Sequence, residues 1–157
     1  MTGVLMAFLL AAAITTGLSA GLLWGWVVAV MPALRDAPDE FFVEFMRRSN
    51  RAILNGPFLL CFTGALGLTA ASVLTAFLDG RGTVIVPAVV ALVCFLATVV
   101  ITRAVHIPLN NRMAVQDETP AAEVRAAAEA RWVRWNKVRT GTGVAALAAL
   151  CWAMLAV

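Results

Sequence analysis

The side chains most able to do chemistry in this sequence stand where apolar stretches end. His106, the only histidine, follows Arg103 and precedes Asn110 at i, i+3 and i+7 spacing, which places the three on one face of an α-helix. Imidazole titrates nearest to neutrality, so His106 is a candidate general base. A hydrogen-bonding role at the end of a helix is the alternative interpretation of this residue.

A second polar group follows the same helical spacing later in the chain. Trp132, Asn136 and Arg139 lie one and two helical turns apart, and Trp135 lies beside them. Asparagine and arginine can donate hydrogen bonds to an oxyanion, and a tryptophan ring can stack on a flat aromatic compound. These residues are therefore candidates for binding a substrate and for stabilising charge that develops on it.

Asn50 and Asn55 lie where another apolar stretch begins. The sequence predicts that they lie at the same depth in the membrane as the two polar groups described above. An apolar bundle with a few convergent polar groups at one end is typical of a small-molecule site. The alternative is that the asparagines cap helices, while arginine and tryptophan anchor the protein at a membrane interface. The candidate catalytic residues are His106, Asn110, Asn136 and Arg139, and the candidate substrate-binding residues are Trp132, Trp135, Asn50, Asn55 and Arg103.

Neither a metal centre nor a tightly held cofactor is expected. The chain has no second histidine and no carboxylate within a helical turn of His106, so ligands with metal-binding spacing are missing from the sequence. It also lacks a phosphate-binding glycine loop and a pair of histidines that would hold haem. Its 3 cysteines lie far apart within apolar stretches and are interpreted as small buried hydrophobic residues.

These residues must be positioned by apolar helices, because 62% of the 157 residues are hydrophobic and only 13% are charged. An ordinary soluble domain has about 45–50% and about 25%. The stretches without any charged residue are 2–34, 52–78, 82–102 and 140–157. Since a helix needs about 20 residues to cross a bilayer, the sequence predicts one all-α domain, an integral membrane four-helix bundle over residues 1–157. The predicted spans are about 3–31, 53–78, 83–107 and 138–157.

The basic residues predict how this bundle is oriented. All of the 12 Lys and Arg residues except Arg81 lie in the connections 35–51 and 103–139. The positive-inside rule places these connections in the cytoplasm and both termini outside, with the protein in the inner (plasma) membrane. The cytoplasmic segments are then 35–51 and 108–137. The net charge of +3 is thus a topology signal, and no nucleic-acid partner is expected.

Two features of the connections and one of the first span predict local structure. Phe41, Phe42, Phe45 and Met46 have helical spacing among charged residues, which is typical of a helix lying in the membrane interface. Thr119-Pro120 is a good helix start, and we expect that helix to run into the fourth span. Five small residues lie along one face of the first span, and tight packing inside the bundle, a homo-oligomer seam and chance all remain open. They are Ala13, Gly17, Gly21, Gly25 and Ala29.

The motifs resemble those of a known family. They are Asn55-Gly56-Pro57-Phe58, His106-Ile107-Pro108-Leu109-Asn110 and Trp132-Val133-Arg134-Trp135-Asn136-Lys137-Val138-Arg139. The chain resembles the anthrone oxygenase-like family of small four-helix membrane proteins over nearly its whole length. The resemblance implies that Asn110, Trp135, Asn136, Arg139 and, less firmly, Asn50 are functional. The role of His106 rests on its chemistry alone.

Named members of that family oxidise anthrones to anthraquinones with molecular oxygen and no evident cofactor, and most members have no assigned activity. Because an anthrone has an acidic benzylic C–H, the protein need only bind, orient and deprotonate it. The resemblance therefore implies a membrane oxidoreductase that acts on a lipophilic aromatic or quinone-type compound. The alternatives are a non-catalytic membrane subunit, which binds a small molecule or oligomerises, and a small transporter, which the apolar span centres disfavour.

Overall fold

The fold was analysed in a computed structural model that describes residues 2–114 and 119–157. The described residues form helices and contain no β-strand. The α-helices are α1 (Thr2–Gly25), α2 (Met31–Leu34), α3 (Asp39–Ala52), α4 (Gly56–Leu78), α5 (Gly82–Ile101), α6 (Ile107–Ala114) and α7 (Ala121–Leu155). Two π-helical segments of 5 residues, Trp26–Val30 and Thr102–His106, join α1 to α2 and α5 to α6.

The chain has 4 helical stretches long and apolar enough to span a membrane. They are Gly3–Leu34, Gly56–Leu78, Gly82–Ala114 and Ala121–Leu155. The prediction of an all-α membrane bundle is therefore confirmed. The expected helix after Pro120 is also confirmed, since α7 runs for 35 residues from Ala121 into the apolar C-terminal stretch. Residues 115–118 of the connection before it lie outside the described residues.

The four long helices form a ring, which the packing of the last helix on the first one closes. α1 packs on α4 and α7, and α5 packs on the same two helices. The end of the ring that holds the α4–α5 turn is called the turn end. Gly80 in that turn has a φ of 64°, a left-handed conformation that glycine adopts without strain. The opposite end, which holds the π-helical segments, α2, α3, α6 and the start of α7, is called the polar end.

The stripe of small residues on α1 does not pack tightly inside the bundle. Gly21 and Gly25 have open space where a Cβ would stand, and Gly17 meets only Leu147 at ordinary contact distance. The close helix approach lies elsewhere: a Cβ on Gly143 of α7 would stand 3.3 Å from the Cβ of Ala20. Tight packing within the bundle was thus the wrong interpretation of Gly21 and Gly25.

The sequence predicted that the apolar face of helix α3 lies in the membrane interface. Part of that face packs on the protein, while Phe41 is 57% exposed. Phe42, Val43 and Met46 are buried, in one apolar cluster with residues of α2, α6 and α7. The reason is that the third long helix continues past Pro108 and supplies Leu109 and Met113, which cover this face.

A single arginine holds the α2–α3 connection against α7. Arg125 donates hydrogen bonds from Nη1 to the carbonyl oxygen of Ala37 (2.7 Å) and from Nη2 to that of Arg35 (2.8 Å). Its guanidinium also pairs with Asp39 at 3.0 Å and lies 4.5 Å from the centre of the Phe42 ring. Carbonyl groups at the end of a helix have no partner within it, and Arg125 satisfies them from another element.

Candidate functional site

Proline creates the backbone irregularity that positions His106. Pro108 has no N–H, and its ring would clash with the carbonyl of the residue four positions earlier in a regular α-helix. The chain responds with a wider turn, in which the N–H of Ile107 donates to the carbonyl oxygen of Thr102, five residues back. The first long helix shows the same device, since the N–H of Met31 donates to Trp26 just before Pro32.

The wider turn changes which side chains face the inside of the bundle. His106 is buried, but Arg103 is exposed. The prediction that the two share one face is wrong, because it assumed α-helical spacing and a π-helical turn takes up an extra residue. Thr102 replaces Arg103 on the inner side, where its hydroxyl accepts a hydrogen bond from Arg139 at 3.3 Å.

His106 has no hydrogen-bond partner in its buried position. Its side chain is 1% exposed, and neither Nδ1 nor Nε2 makes a hydrogen bond. The backbone of Ile101 and that of Trp132 lie near the ring, but neither provides good hydrogen-bond geometry. The ring meets the indole of Trp132 edge-on, with centroids 5.2 Å apart and planes at 80°. Buried polar groups are usually satisfied, and His106 is an exception that it shares with the side-chain oxygens of Thr16 and Asp79.

Arg139 brings a positive charge into the same region without a carboxylate beside it. The residue is 8% exposed, and its Nε donates to Oδ1 of Asn136 at 2.9 Å. Its guanidinium lies 5.6 Å from the ring centre of Trp132. The ion pairs found among the described residues involve other arginines. A buried charge with only neutral partners is costly.

The backbone around Arg139 is fixed by threonine hydroxyls. Thr98 of α5 donates to the carbonyl oxygen of Arg139 at 3.2 Å, and Thr142 donates to the same oxygen at 2.9 Å. The two hydroxyls are 2.7 Å apart. The Thr140 hydroxyl donates to the carbonyl oxygen of Asn136 at 2.7 Å. The side chains of Asn136 and Arg139 therefore project from a helix whose position against α5 is well defined.

Trp132 contacts several of the polar side chains described above. It is 3% exposed, and its Nε1 donates to Oδ1 of Asn110 at 3.0 Å. Trp26, from the first π-helical segment, packs against its indole with centroids 5.3 Å apart. Trp132 thus connects Asn110 and His106 of the third long helix with Trp26 of the first. We call Asn110, His106, Trp132, Asn136 and Arg139 the polar cluster.

Other candidate residues do not join these contacts. Asn55 is exposed and caps α4, where its Oδ1 accepts from the N–H of Phe58 at 2.9 Å, as the alternative interpretation of the asparagines expected. Asn50 is half-buried, and its Nδ2 atom is buried without a partner. Trp135 packs against the apolar residues of the polar end.

Sequence reasoning missed three residues that build this region. The roles of Trp26, Thr102 and Arg125 were not predicted. A signal for the first two exists in hindsight: each lies six residues before a proline, at the first position of a π-helical segment. No comparable signal marks Arg125, because its partners are backbone carbonyls distant in sequence.

Two grooves at the polar end lie outside the polar cluster. They measure about 740 Å³ on one side of α7 and about 300 Å³ between α3 and α7, and other residues line them. Within the cluster, the Trp132 indole packs against both the His106 ring and the Arg139 guanidinium. Within 2–114 and 119–157, no three His, Cys, Asp or Glu side chains stand together as metal ligands would.

Comparison with known proteins gives a family match. A family model described as anthrone oxygenase matches residues 48–149, which is more than half of the chain and includes the whole polar cluster. No curated protein and no solved structure matches this sequence.

Proposed function

Because the chain belongs to the anthrone oxygenase family, we propose that it is a membrane oxidoreductase that oxidises a lipophilic, anthrone-like aromatic compound with molecular oxygen. One observation carries the proposal: the buried charge of Arg139 has no carboxylate partner and stands near a buried His106 without hydrogen bonds. A substrate that loses a proton here would give both groups a partner.

The first step is proton transfer from carbon. Neutral His106 takes the acidic benzylic proton and becomes an imidazolium, while the electron pair moves onto the carbonyl oxygen of the substrate and forms an aromatic enolate. Arg139 stabilises that oxyanion by charge. The Asn136 amide, whose Oδ1 is held by Arg139, donates to it from Nδ2. The protein thus supplies a base and a pre-oriented oxyanion site.

The second step is reaction with oxygen. The enolate passes one electron to O2, the two radicals combine at the benzylic carbon, and His106 returns its proton to give a hydroperoxide. Loss of the remaining hydrogen from that carbon, with cleavage of the O–O bond, forms the second carbonyl group and releases water. One oxygen atom of O2 enters the quinone, the other becomes water, and the substrate carbon is oxidised.

The test is turnover of anthrone by the purified protein in lipid nanodiscs, followed by anthraquinone absorbance and oxygen consumption. Asn136→Ala should lower turnover by about 10²–10³-fold, the usual effect of losing an oxyanion donor. His106→Ala should lose most activity at low pH and regain it with added imidazole. Asn111→Ala changes an exposed asparagine and is the matched control. If Asn136→Ala and His106→Ala oxidise anthrone as fast as the Asn111 variant, the proposal is wrong.

A non-catalytic membrane subunit is the second candidate, and two observations favour it. Trp132 packs directly against His106 and Arg139. Gly21 and Gly25 on α1 face open space, so a second copy of the chain could pack along Gly17, Gly21 and Gly25. Disulfide cross-linking of a Gly21→Cys variant in membranes tests this homo-oligomer. Under this function, Asn136→Ala lowers thermal stability and no oxidation of anthrone is found in any variant.

The proposed orientation places the polar end in the cytoplasm and the turn end outside the inner membrane. It rests on the positive-inside rule, since the turn end carries Arg81 and the remaining basic residues lie in the other connections. In a variant without the native cysteines, an impermeant thiol reagent added outside should label Gly80→Cys and leave Ala122→Cys unlabelled. The reverse pattern would overturn the orientation.

A further inference from the structure

Trp132 makes the contacts that a bound aromatic ring would make. Its indole meets the edge of His106, packs against Trp26 and lies under the guanidinium of Arg139. Its N–H donates to Asn110. A planar ligand between these groups would touch the same atoms, because edge-to-face rings and cations over ring faces are general modes of aromatic recognition.

The Trp132 indole leaves the hydrogen-bonding capacity of His106 and Arg139 partly unused. A ring can offer its edge to His106 and its face to Arg139, but it provides no acceptor for the guanidinium and no partner for Nδ1 or Nε2 of His106. In a core built only for stability, such buried polar groups would be paired. A planar aromatic ligand that carries an oxygen could replace the ring contacts of Trp132 and also pair with His106 and Arg139.

We propose that Trp132 occupies the ring-binding position of the empty site and leaves it when a planar aromatic ligand with an oxygen substituent enters. This inference rests on the proposed function for the class of ligand. Trp132 then acts as a gate, which a ligand displaces by competition. Asn110 is the latch of this gate, since its Oδ1 holds the indole N–H through one hydrogen bond.

If Trp132 is a gate, removal of its ring should strengthen ligand binding. If Trp132 is instead a platform on which the ligand stacks, removal of its ring should weaken binding. Apparent affinity is reduced by the fraction of time that the competent, open state is populated, so removal of the gate should strengthen binding. If the closed state is favoured, Trp132→Ala should bind ligand about tenfold more tightly. Asn110→Ala, which keeps the indole and removes the latch, should bind about 2–10-fold more tightly, the effect of one hydrogen bond.

The experiment measures binding of anthraquinone, which this reaction cannot oxidise further, to the full chain in nanodiscs by equilibrium dialysis, with empty nanodiscs subtracted. Wild type, Trp132→Ala, Trp132→Phe and Asn110→Ala are compared with Trp152→Ala, which alters an exposed tryptophan of the same helix and should bind like wild type. The gate predicts tighter binding for Trp132→Ala and Asn110→Ala. Weaker binding of Trp132→Ala that Trp132→Phe restores would show a stacking platform and overturn the gate.

Other outcomes are equally decisive. If Trp132→Ala does not fold, folded Asn110→Ala with the affinity of wild type overturns the gate. Absence of binding in every folded variant also overturns it, even if the wild type oxidises anthrone. Conversely, tighter anthraquinone binding by the two variants, with no oxidation of anthrone by wild type, supports the gate and contradicts only the proposed oxygenase activity.

Discussion

The two ends of the bundle are packed with different kinds of residue. The core of the turn end consists of small and aliphatic side chains, which include Leu5, Leu9, Ala88, Ala91 and Leu150. The polar end packs Phe42, Met46, Met113 and Trp132 into its core, and beside them it buries His106 and Arg139. The turn end also buries two unpaired carboxylate oxygens, those of Asp79, so the two ends differ in the side chains of their cores more than in the presence of unpaired polar atoms.

Under the proposed function, stability and activity should depend on different ends of the bundle. Local features that cost free energy persist in proteins where they serve a function and are compensated elsewhere. At the polar end the cost is a buried guanidinium with neutral partners and an imidazole with none. The turn end supplies the compensating packing. Changes at the two ends should therefore separate activity from stability.

The largest effect is expected at Arg139. Arg139→Gln removes the proposed counter-charge of the enolate and should lower anthrone turnover by about 10²–10³-fold. It should leave the thermal unfolding midpoint unchanged or raised, because a buried charge without a carboxylate partner is costly and glutamine can still donate a hydrogen bond to Asn136 or Thr102. Arg134→Gln, at an exposed position of α7, should change neither quantity. A large loss of stability in Arg139→Gln with normal activity would reverse the comparison of the two ends.

The converse effect is expected at the turn end. Leu9 is fully buried and Leu10, its neighbour on α1, is half exposed. Leu9→Ala should lower the free energy of unfolding by about 2 kcal/mol, the low end of cavity-forming substitutions, because lipid already solvates an apolar side chain that leaves the core. Leu10→Ala is the control. Turnover per folded molecule should stay at the wild-type value in both, and a selective loss of turnover in Leu9→Ala would contradict the separation.

A smaller and local effect is expected at Arg125. Arg125→Gln breaks the hydrogen bonds to the α2–α3 connection, so local opening of residues 34–39 should become more frequent while the bundle stays intact. Trypsin cleavage after Arg35 should accelerate at least about tenfold, the effect of losing one of the charge-assisted hydrogen bonds that Arg125 donates to this connection. Arg131→Gln, at an exposed position of α7, should be cleaved at the rate of wild type. Equal cleavage rates would show that Arg125 does not hold this connection.

The smallest effect is expected where α7 meets α1. A Cβ on Gly143 would stand 3.3 Å from Ala20, whereas one on Gly141 would meet nothing within 4 Å. Gly143→Ala should therefore destabilise by about 1 kcal/mol, and Gly141→Ala should be neutral or stabilising because alanine favours the helix. Thermal unfolding of the two variants measures this, and equal midpoints would show that the helices can move apart without cost.

Helical spacing predicted well which side chains are buried on a straight helix and badly on an interrupted one. On α7, Trp132, Asn136 and Arg139 were expected on one face, and all three are buried. On the third long helix the same reasoning placed Arg103 beside His106, and the structure exposes Arg103. The sequence contains the cause, Pro108, but the size of the backbone adjustment depends on neighbouring helices.

Contacts between segments that are distant in sequence account for the remaining differences between prediction and structure. The apolar residues of α3 were predicted to lie in the membrane interface, because nothing in their own segment shows that α6 and α7 cover Phe42 and Met46. The glycines of α1 were open to three interpretations, because their spacing shows that they share one side of the helix but does not show what packs against that side. The four-helix bundle itself was predictable, because bilayer thickness sets the length of an apolar helix independently of its partners.

The second π-helical segment has a consequence for how this sequence tolerates insertion and deletion. The wider turn takes up one extra residue. Loss of one residue from Thr102–His106, for instance the exposed Ala104, would force regular α-helical turns before Pro108, and the proline ring would then clash with the carbonyl group four residues earlier. The helix would have to bend there, and His106 and Asn110 would lose their present positions beside the Trp132 indole. The width of one helical turn thus separates a plain membrane-spanning helix from one that holds two polar side chains against a neighbouring helix.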